Sequence, residues 1–158
     1  MPNPEESKKD SSIYQRPKTY IFISIEYILI VALLVTGPVL ASNPILVFLE
    51  IVGVWYLVWV LWTNFALKFD LSYRPISKSR LIAKGPYKYI RHPFSTAIIL
   101  ITFVLIINHV SLLRLVLWIL LLAIIIFRTR YEEKIYSQYF NDFPLYKQRT
   151  YRLIPFVY

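Results

Sequence analysis

The sequence lacks cysteine and contains only two histidines and three glycines. Without cysteine, the protein has no disulfide, no thiolate nucleophile and no cysteine metal ligand. The two histidines, His92 and His109, are too few for a typical histidine metal site, so no metal site is predicted. None of the glycines lies in a glycine-rich turn of the doubly wound nucleotide-binding type, so any nucleotide-like cofactor needs another architecture.

Acidic residues are also few. The sequence has nine Asp and Glu and 18 Lys and Arg, which gives a net charge of +9. Such a charge is compatible with nucleic-acid binding, but the basic residues lie between long apolar runs and not on a polar domain of their own. No nucleic-acid partner is therefore predicted. Hydrophobic residues make up 57% of the chain, which is high for a soluble domain and indicates a membrane protein.

Four apolar runs, at about residues 20–40, 44–67, 94–108 and 112–127, predict four transmembrane helices. At about 1.5 Å per residue, the first two are roughly 30–36 Å long and the last two roughly 22–24 Å. The short connection between the last two allows only an antiparallel helical hairpin. Open strands are excluded because lipid cannot satisfy their backbone polar groups. The predicted fold class is all-α, a polytopic membrane protein.

Basic residues are distributed asymmetrically about these runs. Seventeen of the 18 fall on one side of the four predicted crossings, and only Arg114 lies near the opposite end. The positive-inside rule assigns the basic side to the cytoplasm, so the N- and C-termini are both predicted to be cytoplasmic. The predicted organisation is a flexible polar tail at 1–18 and a single membrane domain at 19–158.

Two acidic residues, Glu26 and Glu50, fall inside the first pair of predicted helices. A carboxylate within a membrane helix is costly and is a functional candidate by default. The alternative is that each is protonated, hydrogen-bonded to a neighbouring helix, or directed toward an interface. Glu26 is near the cytoplasmic end of its helix and Glu50 near the outer end of the next, so they are not expected to pair. For Glu50 the structural interpretation is preferred, whereas the role of Glu26 stays open.

Polar residues concentrate at the cytoplasmic ends of the predicted hairpin, in segments 84–93 and 128–133. Pro93 suits a first helical turn, which places His92 near a cap whose free N–H groups can meet a carboxylate. Arg128 and Glu132 are four residues apart and share a helix face, a pairing that suits a zwitterionic amino-acid ligand. Equally, these residues could be interface anchors, a helix cap and an intrahelical ion pair worth about 0.3–0.5 kcal/mol.

The order and spacing of these motifs resemble the isoprenylcysteine carboxyl methyltransferase family and the wider group that includes phospholipid methyltransferases. The resemblance covers roughly residues 79–157. It is carried by Gly85, Tyr87, Arg91, His92 and Pro93 before the hairpin, by Arg128, Glu132 and Glu133 after it, and by an aromatic-rich tail. Ser95 stands where the family often has tyrosine.

The resemblance implies an S-adenosylmethionine site built from the loop 68–93 and the cytoplasmic segment 128–158. By its motif positions, Arg128 faces the methyl acceptor and Glu132 meets the amino-acid end of the cofactor. The other cofactor-binding residues implied are Ser79, Arg80, Leu81, Ile82, Tyr87, His92, Pro93, Phe94 and Ser95.

The activity implied is methyl transfer to a lipophilic acceptor that enters from the bilayer, on the cytoplasmic face of the membrane. The preferred acceptor is the C-terminal carboxylate of a prenylated cysteine, which would be O-methylated. Its main alternative is N-methylation of a phospholipid amine. Two other classes stay open, a sterol-type membrane reductase and a non-catalytic membrane scaffold. Membrane lipids are the expected surroundings, and the sequence sets no oligomeric state.

Overall fold

The structure, a computed structural model, describes residues 17–71, 84–139 and 142–154. Over these residues the chain forms five α-helices, one short 3-10 helix and no β-strand, which confirms the predicted all-α class. Residues 1–16 of the predicted tail lie outside the described residues. The elements are α1 (Pro17–Val35), α2 (Pro44–Leu71), the 3-10 helix (Gly85–Lys88), α3 (Pro93–Asn108), α4 (Leu112–Tyr139) and α5 (Phe143–Arg149).

Helices α2 and α4 have the length and composition to cross a bilayer. Each has 28 residues, about 42 Å at about 1.5 Å per residue, and contains a long apolar stretch, Pro44–Phe65 or Leu112–Ser137. Helices α1 and α3 are shorter and apolar. Large side chains on the outer face of α2, such as Trp55 and Trp62, are more than half exposed, as expected where lipid replaces water. These features indicate an integral membrane protein, while the count of four crossings and the cytoplasmic termini stay predictions.

The helices pack in pairs around the α3–α4 hairpin. Helix α1 packs against α4, and α2 packs against α3. A buried apolar core connects α1, α3, α4 and the C-terminal segment through Leu33, Ile99, Ile106, Leu121, Ile125 and Leu153. Because lipid is as apolar as these side chains, close packing and interhelical hydrogen bonds hold the helices together more than burial from water does.

The bundle has a turn end, formed by residues 36–43 and 109–111, where hydrogen bonds tie the two connections together. Asn108 accepts from the Ser42 N–H at 3.3 Å and donates to the Leu40 carbonyl at 3.2 Å. The Ala41 N–H donates to Glu50 Oε2 at 3.2 Å. Glu50 therefore holds the α1–α2 connection, which agrees with the structural interpretation preferred from the sequence.

Arg114 is fully buried at the same turn end. Its guanidinium donates to the carbonyls of Leu33 at 3.5 Å and His109 at 3.3 Å, at the C-terminal ends of α1 and α3. A cation at these positions complements the partial negative charge of the helix C-termini. A Cβ added at Gly37 would meet this guanidinium, which would then have to move.

Several helix ends differ from the predicted ones. Helix α1 begins at Pro17, inside the predicted tail 1–18, and α2 continues to Leu71, into the predicted loop 68–93. Helix α1 ends at Val35 and not near residue 40, because Pro38 disfavours helical backbone at the residue before it. The Thr36 hydroxyl donates to the Ala32 carbonyl at 2.7 Å at this end. Helix α4 continues past residue 127 as far as Tyr139, so its last three turns carry the polar residues described below.

Candidate active site

The end of the bundle opposite the turn end is called the motif end, and it contains the start of α3 and the last three turns of α4. Pro93 is the first residue of α3 and His92 is its N-cap, without a side-chain cap hydrogen bond. Gly85 has a positive φ of 56°, and a Cβ there would lie 2.9 Å from Thr63 Oγ1 on α2. The Gly85 position therefore fixes the 3-10 helix tightly against α2.

Tyr87 connects the 3-10 helix to α2 and α5. Its hydroxyl donates to Asn64 Oδ1 at 2.8 Å, and the Tyr146 hydroxyl donates to the Tyr87 carbonyl at 2.8 Å. Burial raises the pKa of Tyr87 and raises the pKa of Tyr146 to about 12. Both hydroxyls therefore stay protonated near neutral pH and act as donors.

Arg128 donates to side chains of three different helices at the motif end, and it is 8% exposed. Its Nη1 donates to Glu132 Oε1 at 2.9 Å, one turn further along α4. Its Nη2 donates to Ser95 Oγ at 2.8 Å on α3. Its Nε donates to Glu26 Oε1 at 2.6 Å on α1. Three helices thus meet at one guanidinium. Glu26, whose role the sequence left open, is part of this site.

His92 lies beside the two adjacent glutamates of α4. Its Nδ1 is 3.5 Å from Glu132 Oε2, and its Nε2 is 3.6 Å from Glu133 Oε1. The Nε2 atom is buried and has no hydrogen-bond partner among the described residues. The imidazole therefore lies between the two glutamates, with Nδ1 toward Glu132 and Nε2 toward Glu133.

Glu133 faces away from Arg128 and forms a second ionic cluster. It accepts from Arg91 Nε at 2.8 Å and from Arg152 Nη2 at 2.7 Å. Arg91 also donates to the carbonyls of Lys147 and Thr150. Glu133 and Arg91 therefore hold the C-terminal segment.

Backbone contacts continue this attachment of the C-terminal segment. The Arg91 N–H donates to the Tyr151 carbonyl at 2.8 Å, and the Tyr151 N–H donates to the Tyr89 carbonyl at 2.8 Å. The Thr96 hydroxyl donates to the Leu153 carbonyl at 2.7 Å. The segment therefore runs alongside the residues that enter α3 and covers the motif end.

The structure brings together one group of the predicted site residues and leaves others apart or undescribed. Arg128, Glu132, His92 and Ser95 form one cluster, with Pro93 buried and Phe94 half-buried at the start of α3. Tyr87 is bonded to α2 and α5 instead. The predicted residues Ser79, Arg80, Leu81 and Ile82 lie outside the described residues.

Comparison with known proteins gives the chain its class. The sequence pattern of the phospholipid methyltransferase family matches residues 44–142, more than half of the chain. Helical architecture, membrane composition and this match define a membrane methyltransferase. The chain belongs to the phospholipid methyltransferase family, within the wider group that includes isoprenylcysteine-type enzymes, so the resemblance found in the sequence is confirmed. No curated protein and no solved structure matches it.

Membership of this family implies S-adenosylmethionine as the methyl donor, and the residues present fit its amino-acid end. Glu132 offers a carboxylate for an ammonium group. The first-turn N–H groups of α3, at Phe94 and Ser95, have no intrahelical acceptor and suit a carboxylate. The Nδ1 atom of His92 lies beside Glu132 at the same place.

Proposed function

We propose that the protein transfers a methyl group from S-adenosylmethionine to the polar head of a lipid-like acceptor, and that the acceptor atom is a phospholipid amine nitrogen. The observation that carries this proposal is the buried cluster of Arg128, Glu132, His92 and Ser95, which joins the two motif segments at one end of the α3–α4 hairpin. The family match supports the amine acceptor.

In this proposal each residue of the cluster has a separate task. Glu132 and the N-terminal turn of α3 hold the amino-acid end of the methyl donor, with His92 beside them. Arg128 lies on the acceptor side. When bound, S-adenosylmethionine supplies a methyl group on a positively charged sulfur. The protein then contributes position and exclusion of water, which strengthens the charge interactions and lowers the barrier by several kcal/mol.

The membrane placement of the site is part of the proposal. Four crossings would put the motif end on the cytoplasmic side, because 17 of the 18 basic residues would then lie there. Arg128 directly follows the apolar run that ends at residue 127, so it would lie near head-group depth. An amphiphile in the bilayer would reach the cluster with its head while its tails stay in lipid.

Carboxylate O-methylation of a prenylated cysteine is the second candidate. It is favoured by the order of the Arg91-His92-Pro93 and Arg128 to Glu133 motifs, which resembles that of isoprenylcysteine carboxyl methyltransferases. Such an acceptor needs no proton removal, and the planar guanidinium of Arg128 is suited to a carboxylate. The two candidates share the methyl donor and differ in the charge of the acceptor.

The test of the proposal is calorimetric titration of the detergent-purified protein with S-adenosylmethionine and S-adenosylhomocysteine. We expect saturable binding, and we expect Glu132→Gln to weaken it by about tenfold or more, because an ammonium group loses its carboxylate partner. Glu50→Gln is the matched control, since Glu50 is a helical glutamate at the turn end. A folded wild-type protein that binds neither ligand would instead favour the reductase or scaffold interpretation.

A further inference from the structure

Glu26 brings a charge to the site from outside the part of the chain that the family pattern matches. It lies on α1, whereas the match begins at residue 44. The side chain is buried, with 4% exposure, and Oε1 is 2.6 Å from Arg128 Nε. Helix α1 packs along α4, so this contact is part of a continuous helix interface.

The charges around Arg128 are unequal because two carboxylates, Glu26 and Glu132, bind one guanidinium. The Nε atom has a single hydrogen, which Glu26 accepts, and Ser95 accepts another from Nη2. With both carboxylates ionised, the three charged side chains carry one net negative charge. Because Glu132 is assigned to the ammonium group of the methyl donor, Glu26 is the carboxylate that balances Arg128. An anionic head group then meets no excess positive charge at the guanidinium, whereas an ammonium head group can pair with the Glu26 carboxylate.

We infer that Glu26 determines the charge of the methyl acceptor: it satisfies Arg128, excludes a carboxylate acceptor, and binds and deprotonates an ammonium head group. This inference rests on the proposed function and adds to it a residue that selects the substrate class. Glu26 uses Oε1 for Arg128 and has a second carboxylate oxygen to offer to a donor. Buried acidic residues in membrane helices commonly mark such substrate and proton sites.

The reaction balances with Glu26 as the proton acceptor. One N–H bond of the acceptor ammonium breaks, and its proton passes to the carboxylate. The freed nitrogen electron pair forms the N–CH₃ bond while the methyl–sulfur bond breaks and its electrons stay on sulfur. The product ammonium carries the positive charge that the sulfur loses, and the proton on Glu26 leaves to water before the next turnover.

The test compares two acceptors with the full-length protein in lipid nanodiscs, using labelled S-adenosylmethionine. The amine acceptor is phosphatidylethanolamine and the carboxylate acceptor is N-acetyl-S-farnesylcysteine. The variants are Glu26→Gln, which can still accept the Arg128 hydrogen bond without the charge, and Glu26→Asp, which restores the charge. Glu50→Gln is the matched control in a second membrane helix. Binding of S-adenosylhomocysteine is measured for every variant.

We expect the wild type and Glu50→Gln to prefer the amine, and Glu26→Gln to lower the amine-to-carboxylate ratio by about tenfold or more while S-adenosylhomocysteine still binds. Glu26→Asp should keep the wild-type preference. An unchanged ratio in Glu26→Gln or an equal loss of both activities would overturn the inference, whereas a wild type that prefers the carboxylate would overturn the amine acceptor of the proposed function. Absence of S-adenosylhomocysteine binding in the folded wild type would overturn the proposed function instead.

Discussion

Replacing Glu133 with glutamine removes the carboxylate that Arg91 and Arg152 share. In the wild type, Oε1 accepts from Arg91 Nε at 2.8 Å and from Arg152 Nε at 3.0 Å, while Oε2 accepts from Arg152 Nη2 at 2.7 Å. None of the three side chains is more than 15% exposed, so solvent screens these contacts weakly. Glutamine has one acceptor oxygen and no charge, and its NH₂ group would face a guanidinium donor.

The expected loss of folding stability in Glu133→Gln follows from the burial of this ionic cluster. Removing one partner of a buried ion pair costs about 3–5 kcal/mol, because the remaining charge has no partner. Arg91 keeps its bonds to the Lys147 and Thr150 carbonyls, which reduces the expected loss below this range, to about 2–3 kcal/mol. In a chain of this size, 1 kcal/mol shifts Tm by about 2–4 °C, so the expected drop is about 4–12 °C.

Two measurements check this prediction for Glu133→Gln. Thermal unfolding in detergent reports the drop in Tm, and limited trypsin digestion after Arg149 and Arg152 reports release of the C-terminal segment. The control is Lys134→Gln, which changes the charge of the adjacent, exposed residue. If Glu133→Gln melts within about 1 °C of that control and is cleaved at the same rate, Glu133 does not hold the C-terminal segment.

Two further changes test the packing of the motif end and of the turn end. Tyr146→Phe removes the hydrogen bond to the Tyr87 carbonyl and should cost about 1 kcal/mol near neutral pH. Burial raises the pKa of Tyr146 to about 12. The contribution of its hydroxyl to folding stability is therefore present below pH about 10 and is lost as the pH rises toward 12. When Tm is measured against pH, the decrease in Tm at alkaline pH should be smaller in Tyr146→Phe than in the wild type. Gly37→Ala pushes a Cβ into the Arg114 guanidinium and should destabilise by about 1–3 kcal/mol, and a Tm equal to the wild type would contradict the close packing there.

The helices and the Arg128–Glu132 pair were predictable because local rules determine them. Long apolar runs must be helical in lipid, where backbone groups have no water to bind. Residues four apart on a helix share a face, so the 2.9 Å contact between Arg128 and Glu132 follows once α4 continues past residue 127. The connection of only a few residues after Asn108 made the α3–α4 hairpin equally predictable.

The partner of Glu26 was not predictable from the sequence, because Arg128 is 102 positions away and the contact depends on how α1 rotates against α4. The partners of Glu133, Arg91 and Arg152, were also not predictable. Consecutive residues on a helix point about 100° apart, so one glutamate faces Arg128 and the other faces Arg91. The four-residue spacing assigns Glu132 to Arg128, but only the packing of α3 and the C-terminal segment brings Arg91 and Arg152 to Glu133.

The central claim is methyl transfer to a lipid amine, and mass spectrometry of the lipid products tests it most directly. Purified protein in nanodiscs containing phosphatidylethanolamine would be incubated with S-adenosylmethionine carrying a deuterated methyl group. We predict deuterated N-methyl lipid in the wild type and little or none with Arg128→Ala. Wild-type protein that binds S-adenosylhomocysteine but leaves the amine unlabelled would contradict the account.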